Sequence, residues 1–89
     1  MTLHDFVDAA VAYCQATGAS VTSWGRTRAH NTQVGGQPYS PHRFWRGVDV
    51  VYDEPVPAEE RIETARRLGL FLYAEGDHDH LQPRDWTKG

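Results

Sequence analysis

Eighty-nine residues with a formal net charge of −3 and one cysteine bound the chain to one small domain, residues 1–89, that no intrachain disulfide can staple. The nine Lys and Arg residues form no basic run, which argues against nucleic acid as a partner, since phosphate binding calls for a basic field. No stretch approaches the ~20 apolar residues of a membrane helix and no charged-then-apolar leader opens the chain, so a cytosolically made monomer without a membrane partner is expected.

Residues 2–17 are predicted to form an amphipathic helix. Leu3, Phe6, Val7, Ala10, Val11 and Cys14 recur at the i, i+3, i+4, i+7 spacing of one face. Thr2 with Asp5 three residues on resembles a capping box, and Gly18 suits the residue after the helix end. His4 is expected to face solvent, and Cys14 to act as a small buried hydrophobe. Ala19 to Trp24 reads as a short strand, with β-branched Val21 and Thr22 and aromatic Trp24. Residues 25–39 then form a polar connection with Gly-Gly and Pro punctuation. Its length is unusual in a small domain, and long ordered loops are commonly functional.

Gly47 to Tyr52 is the strongest strand. Alternation puts Gly47, Asp49 and Val51 on one face and Val48, Val50 and Tyr52 on the other. Asp49 thus leaves the middle of an apolar strand, where a carboxylate needs a partner. Pro57 suits the first position of a second helix running to about Leu68, with Gly69 as its stop. Glu59 and Glu60 open that helix and Arg66 and Arg67 close it, as its dipole favours, and Glu63 with Arg67 adds an i,i+4 pair. Ile62, Ala65 and Leu68 are expected to turn inward. Leu70 to Ala74 is a third strand, Glu75-Gly76-Asp77 a tight turn, and His78 to Gln82 a fourth strand in a hairpin, with His78, His80 and Gln82 on one face. The tail after Pro83 is expected to fray or, through Trp86, to pack back. The pattern as a whole predicts an α+β fold, a mostly antiparallel sheet of about four strands with two helices packed on it.

Two imidazoles and one carboxylate are a usual protein ligand set for a catalytic zinc. His42 stands seven residues before Asp49, and the pair His78 and His80 follows about thirty residues later. With the two strands adjacent, His42, Asp49 and one histidine of the pair converge. A water activated by the metal needs a group to take its proton, and Glu75 and Asp77 both flank the histidines. In an ideal strand Asp77 faces away from His80, so it serves only if the turn at Gly76 re-aims it, whereas Glu75 has the longer reach. Arg26 and Arg28, in the long connection, offer cations for a substrate carboxylate or a developing oxyanion.

The run Thr22-Ser23-Trp24-Gly25-Arg26-Thr27, then Asn31, Val34-Gly35-Gly36, Ser40-Pro41-His42 and Gly47-Val48-Asp49-Val50, resembles the zinc D-Ala-D-Ala carboxypeptidases. That family includes phage L-alanyl-D-glutamate endopeptidases and belongs to a wider group with lysostaphin-type enzymes and the hedgehog signalling domain. The resemblance covers roughly Val21 to Pro83 and implies a hedgehog/DD-peptidase-like domain with one zinc ion. It further implies His42, Asp49 and His80 as zinc ligands, Asp77 as general base, Arg26 as a substrate-binding or transition-state residue, and Ser40 as part of the substrate cleft. His80 rather than His78 is the ligand on this resemblance, which leaves His78 beside the metal to stabilise an oxyanion or orient water. Trp45 stands where the family has Gly, Gly47 where it has Ala, and Trp24-Gly25 where it has Gly-Tyr.

The activity implied is hydrolysis of the peptide stem of peptidoglycan, of endolysin or DD-carboxypeptidase type, by a phage-type lysis or entry enzyme that reaches the cell wall once released. A zinc-stabilised binding or structural module without turnover is the alternative, favoured by Trp45 and the shortness of the chain. A metal-dependent hydrolase of another ester or amide is a third reading.

Overall fold

The Thr2 hydroxyl caps the first helix, α1 (Leu3–Thr17), by accepting from the Asp5 amide at 3.1 Å, and Gly18 ends it in the left-handed conformation with φ 69°. The computed structural model describes residues 1–25, 33–35 and 44–86. The buried stripe of α1 is Phe6, Ala9, Ala10 and Tyr13, whereas Leu3 and Val11, expected inside, are exposed. The helix is rolled toward Tyr13 because the phenol has a partner under the sheet: its hydroxyl lies 2.6 Å from that of Tyr52. Cys14 packs against the core, and burial pushes its thiol above the usual cysteine value.

Four strands follow the predicted runs: β1 (Ala19–Ser23), β2 (Val48–Tyr52), β3 (Leu70–Ala74) and β4 (Asp79–Pro83). They form one antiparallel sheet in the order β1-β2-β4-β3. With α1 and a second helix, α2 (Ala58–Arg67), the described residues make the α+β fold that the pattern implied. Alternation along β2 holds as predicted. Val48 and Val50 are fully buried with Leu70, Leu81, Ala65 and the α1 stripe, and Asp49 projects from the opposite face. In β1 the register shifts between Val21 and Ser23, a bulge that brings the Thr22 hydroxyl within 3.3 Å of the Asp49 carbonyl, to which it donates.

Helix α2 departs from expectation in one respect. Ile62 is exposed, and Arg61 turns inward beside Ala65 and Leu68. The cause lies across the interface. Asp79, 3% exposed, projects from β4 toward the helices and accepts from the Arg61 guanidinium and, at 2.7 Å, from the Tyr52 hydroxyl. A buried carboxylate needs such partners, and an arginine on the neighbouring helix outranks an isoleucine for the inward position. On the exposed side Arg66 grips Glu63 through two bonds of 2.7 and 2.9 Å, and the expected Glu63–Arg67 pair closes at 3.2 Å. The last strand starts at Asp79 rather than His78, because the Glu75 amide donates to the His78 carbonyl at 2.9 Å and keeps His78 in the turn. Trp86 does pack back, 5.6 Å from Phe44 between ring centroids.

Trp45 adopts φ 61°, a left-handed backbone that bulky side chains rarely take. This is the position where the resembled family carries glycine. Two contacts hold it: the Trp24 indole N–H donates to the Trp45 carbonyl at 3.2 Å, and the Trp45 ring lies so close over Gly25 that a Cβ there would overlap it. The chain leaving β1 and the chain entering β2 are thus joined.

Removing the Arg61 guanidinium strands a buried carboxylate. Arg61→Met is expected to lower unfolding free energy by about 3 kcal/mol, near the low end for breaking a buried pair, while Tyr52→Phe costs about 1 kcal/mol, both read from urea midpoints. Burial raises Tyr13, and burial followed by hydrogen bonds with Tyr13 and Asp79 raises Tyr52 well above the usual tyrosine value. Both phenols therefore hold their protons longer in the folded chain. Their contribution is complete below pH about 10, the unfolded value, and is lost as pH rises beyond it. Urea midpoints should fall above pH 10, and the fall should be shallower in Tyr13→Phe; an equal fall in that variant would refute the assignment.

Candidate metal centre

On the sheet face away from the helices, Asp49 of β2 and His80 of β4 are direct cross-strand partners. His80 Nδ1 lies 3.2 Å from Asp49 Oδ1, and the ring is 6% exposed. The other nitrogen, Nε2–H, donates to Gln82 Oε1 at 2.9 Å, two residues along the same strand face. That bond favours the tautomer in which the Nδ1 lone pair faces the Asp49 carboxylate. Two acceptors so opposed are stabilised by a proton or a metal cation between them. Across the other neighbour, Tyr73 of β3 pairs with His80 and its ring centroid lies 6.0 Å from the imidazole.

The β3–β4 turn adds a third donor. Ligand atoms of Asp49, Glu75 and His80 all lie within 4.8 Å of one another, a group able to hold a metal ion. Tetrahedral ligands about 2.1 Å from zinc stand roughly 3.4 Å apart, a spacing close to the 3.2 Å between His80 Nδ1 and Asp49 Oδ1. Two carboxylates and one imidazole suit zinc and other divalent first-row metals alike.

Asp77 lies elsewhere. Its side chain is 94% exposed and accepts from His78 Nδ1–H at 2.7 Å. This bond holds Asp77 below the usual carboxylate range and raises His78 above the usual histidine value. His78 Nε2 stands 4.0 Å from Asp49 Oδ2, beside the metal group rather than in it. Thr22, Asp49, Val51, Asp77 and His78 line a shallow depression of about 250 Å³ next to the cluster. Of the other sequence candidates, Arg26, Arg28, Ser40 and His42 lie outside the described residues. Sequence reasoning missed what Gln82 and Tyr73 do, although the period of two already placed Gln82 on the face of His80.

The chain matches no protein-family model, no curated protein and no solved structure. Among the described residues no helix is long and apolar enough to cross a membrane.

A metal that binds only the folded chain stabilises it by mass action, about 2.7 kcal/mol at a hundredfold excess over Kd. Zinc added to chelator-treated protein should therefore raise the thermal midpoint by several degrees. Asp49→Asn and His80→Ala should lose that rise while keeping the metal-free midpoint within a few degrees. An undiminished rise in both variants would place the metal elsewhere.

Proposed function

We propose that the chain is a zinc-dependent peptidase acting on the peptide stem of peptidoglycan. The observation that carries this reading is the cross-strand Asp49–His80 pair with the Glu75 carboxylate brought against it by the hairpin turn. The resemblance supplies the substrate class and names His42 as the remaining ligand.

A bound zinc would supply Lewis acidity toward the scissile carbonyl and make a water acidic enough to attack near neutrality. Asp49 and His80 would hold the ion, and the Gln82 contact favours the His80 tautomer that leaves Nδ1 to ligate. Glu75, whose carboxylate reaches the cluster and is not among the three ligands that the resemblance implies, would take a proton from the attacking water and return it to the leaving amine. The geometry supports Glu75 in this role over Asp77, which is turned to solvent and engaged by His78. His78 stands at the edge of the group, where a ring N–H can meet the developing oxyanion, and Asp77 orients it.

Mass spectrometry of purified peptidoglycan incubated with the protein tests the reading. Defined fragments should appear, vanish with chelator and return with zinc. Glu75→Gln should retain zinc and lose cleavage by at least about a hundredfold, the scale of a lost general base, while Asp77→Asn stays within about tenfold of wild type. The reverse order of effects would make Asp77 the base. One equivalent of zinc with no fragments would leave a binding module.

A further inference from the structure

The far face of the sheet carries an aromatic strip beside the metal group that the chemistry above does not use. Along β3, Phe71 and Tyr73 share the face of Gln82 and His80, their cross-strand partners, and their rings lie 4.7 Å apart between centroids. They are 41% and 49% exposed. β3 is an edge strand of the sheet, where adjacent exposed aromatic rings are an association liability that small domains ordinarily avoid. At the end of β4 the Arg84 guanidinium stands 5.9 Å from the Phe71 ring centroid, and among the described residues no carboxylate pairs with it. A cation held on an aromatic face keeps its hydrogen-bonding edge available for a carboxylate.

We propose that Tyr73, Phe71 and Arg84 form a substrate subsite for an acidic peptide, the rings taking an apolar side chain and Arg84 a carboxylate. The proposal rests on the peptidase reading of the adjoining metal group. Arg84 lies four strand steps from His80, at most about 13 Å, and its guanidinium stands over Phe71, whose partner Gln82 is only two steps away, about 7 Å. A peptide reaching from the metal to that guanidinium therefore extends about two to four residues beyond the bond being cut. An enzyme that removes only the last residue needs its carboxylate contact one residue from that bond. The spacing to Arg84 points instead to an internal cut in a stem whose acidic end is gripped at a distance.

The test titrates chelator-treated, ¹⁵N-labelled full chain with a synthetic peptidoglycan stem pentapeptide, once as the free acid and once with all its carboxyl groups amidated. Amide shifts should appear at Phe71, Tyr73 and Arg84, and the free acid should bind at least tenfold more tightly. Arg84→Gln should abolish that preference and Arg84→Lys keep most of it, while Tyr73→Ala weakens both peptides alike. Equal affinity for the two peptides, no binding of either, or an undiminished preference in a folded Arg84→Gln overturns the subsite. The two readings fail separately. Binding with the expected preference but no cleavage by zinc-loaded protein removes the peptidase reading and leaves the subsite. Cleavage with the same kcat/KM in wild type and Arg84→Gln removes the subsite and leaves the peptidase.

Discussion

The Asp79 carboxylate, buried beneath the sheet, is the constraint on which the arrangement above the sheet depends. Adjacent residues of a strand point to opposite faces, so the interaction that draws Asp79 toward Arg61 and Tyr52 drives His80 to the other side, opposite Asp49. A slip of one residue in β4 would bury His80 among Leu70, Val48 and Val50 and set Asp79 against Asp49. Both consequences are unfavourable: an imidazole among aliphatic side chains without a partner, and two carboxylates sharing one site. Ion pairs of this kind add little net stability over apolar replacements, because desolvating the charges offsets their attraction. What this one contributes is a single register for the strand that carries the histidine.

The same interaction links the layers. Arg61 belongs to α2, Tyr52 to β2 and Asp79 to β4, and the Tyr52 hydroxyl in turn meets that of Tyr13 on α1. Four elements thus share one polar chain inside an otherwise apolar core. At the far end of β2 the Trp24–Trp45 bond and the Trp45 ring over Gly25 close the long connection at its base. A tryptophan keeps a left-handed backbone there because its carbonyl and its ring are both engaged. Asp49 lies on the strand fixed between these two anchors, and the side-chain order of the candidate metal group follows from backbone order on either side of it.

Much of this was legible in the sequence where one period dominates. The caps at Thr2 and Gly18, the alternation through Val48, Asp49 and Val50, and the charge order of α2 each follow from local rules, and the structure repeats them. The departures arise where a polar group finds a partner distant in sequence. Tyr13 carries a hydroxyl that local rules count as polar, and its inward place depends on the Tyr52 hydroxyl that meets it. Helical spacing favours Ile62 as core, and the inward turn of Arg61 follows only from Asp79 beneath the helix. Asp79 lies between two histidines in the sequence, and nothing local says that a carboxylate in that position is buried. Of the candidate site, alternation marks Asp49 and spacing offers the pair His78 and His80, the resemblance chooses His80 between them, and Glu75 enters as a neighbour of the pair with a long reach. Ser40 rests on the resemblance alone, and His42 and Arg26 on spacing and charge together with it, and no comparison with known proteins bears on that resemblance.

The two acids of the β3–β4 turn show how the backbone divides chemical roles that composition leaves equivalent. Glu75 and Asp77 flank Gly76, whose φ of 87° belongs to glycine and turns the chain sharply. On one side of the turn the Glu75 amide is tied to the His78 carbonyl, which holds its carboxylate toward Asp49 and His80. On the other side Asp77 faces solvent and bonds the His78 ring. A straight strand would have put both acids on the same face, two residues apart, both directed away from His80. The turn instead sends one carboxylate to the metal group and commits the other to orienting an imidazole. The two acids thus occupy different places through backbone geometry rather than through any difference in side-chain type: Asp77 is engaged by an imidazole in solvent, and Glu75 stands against Asp49 and His80.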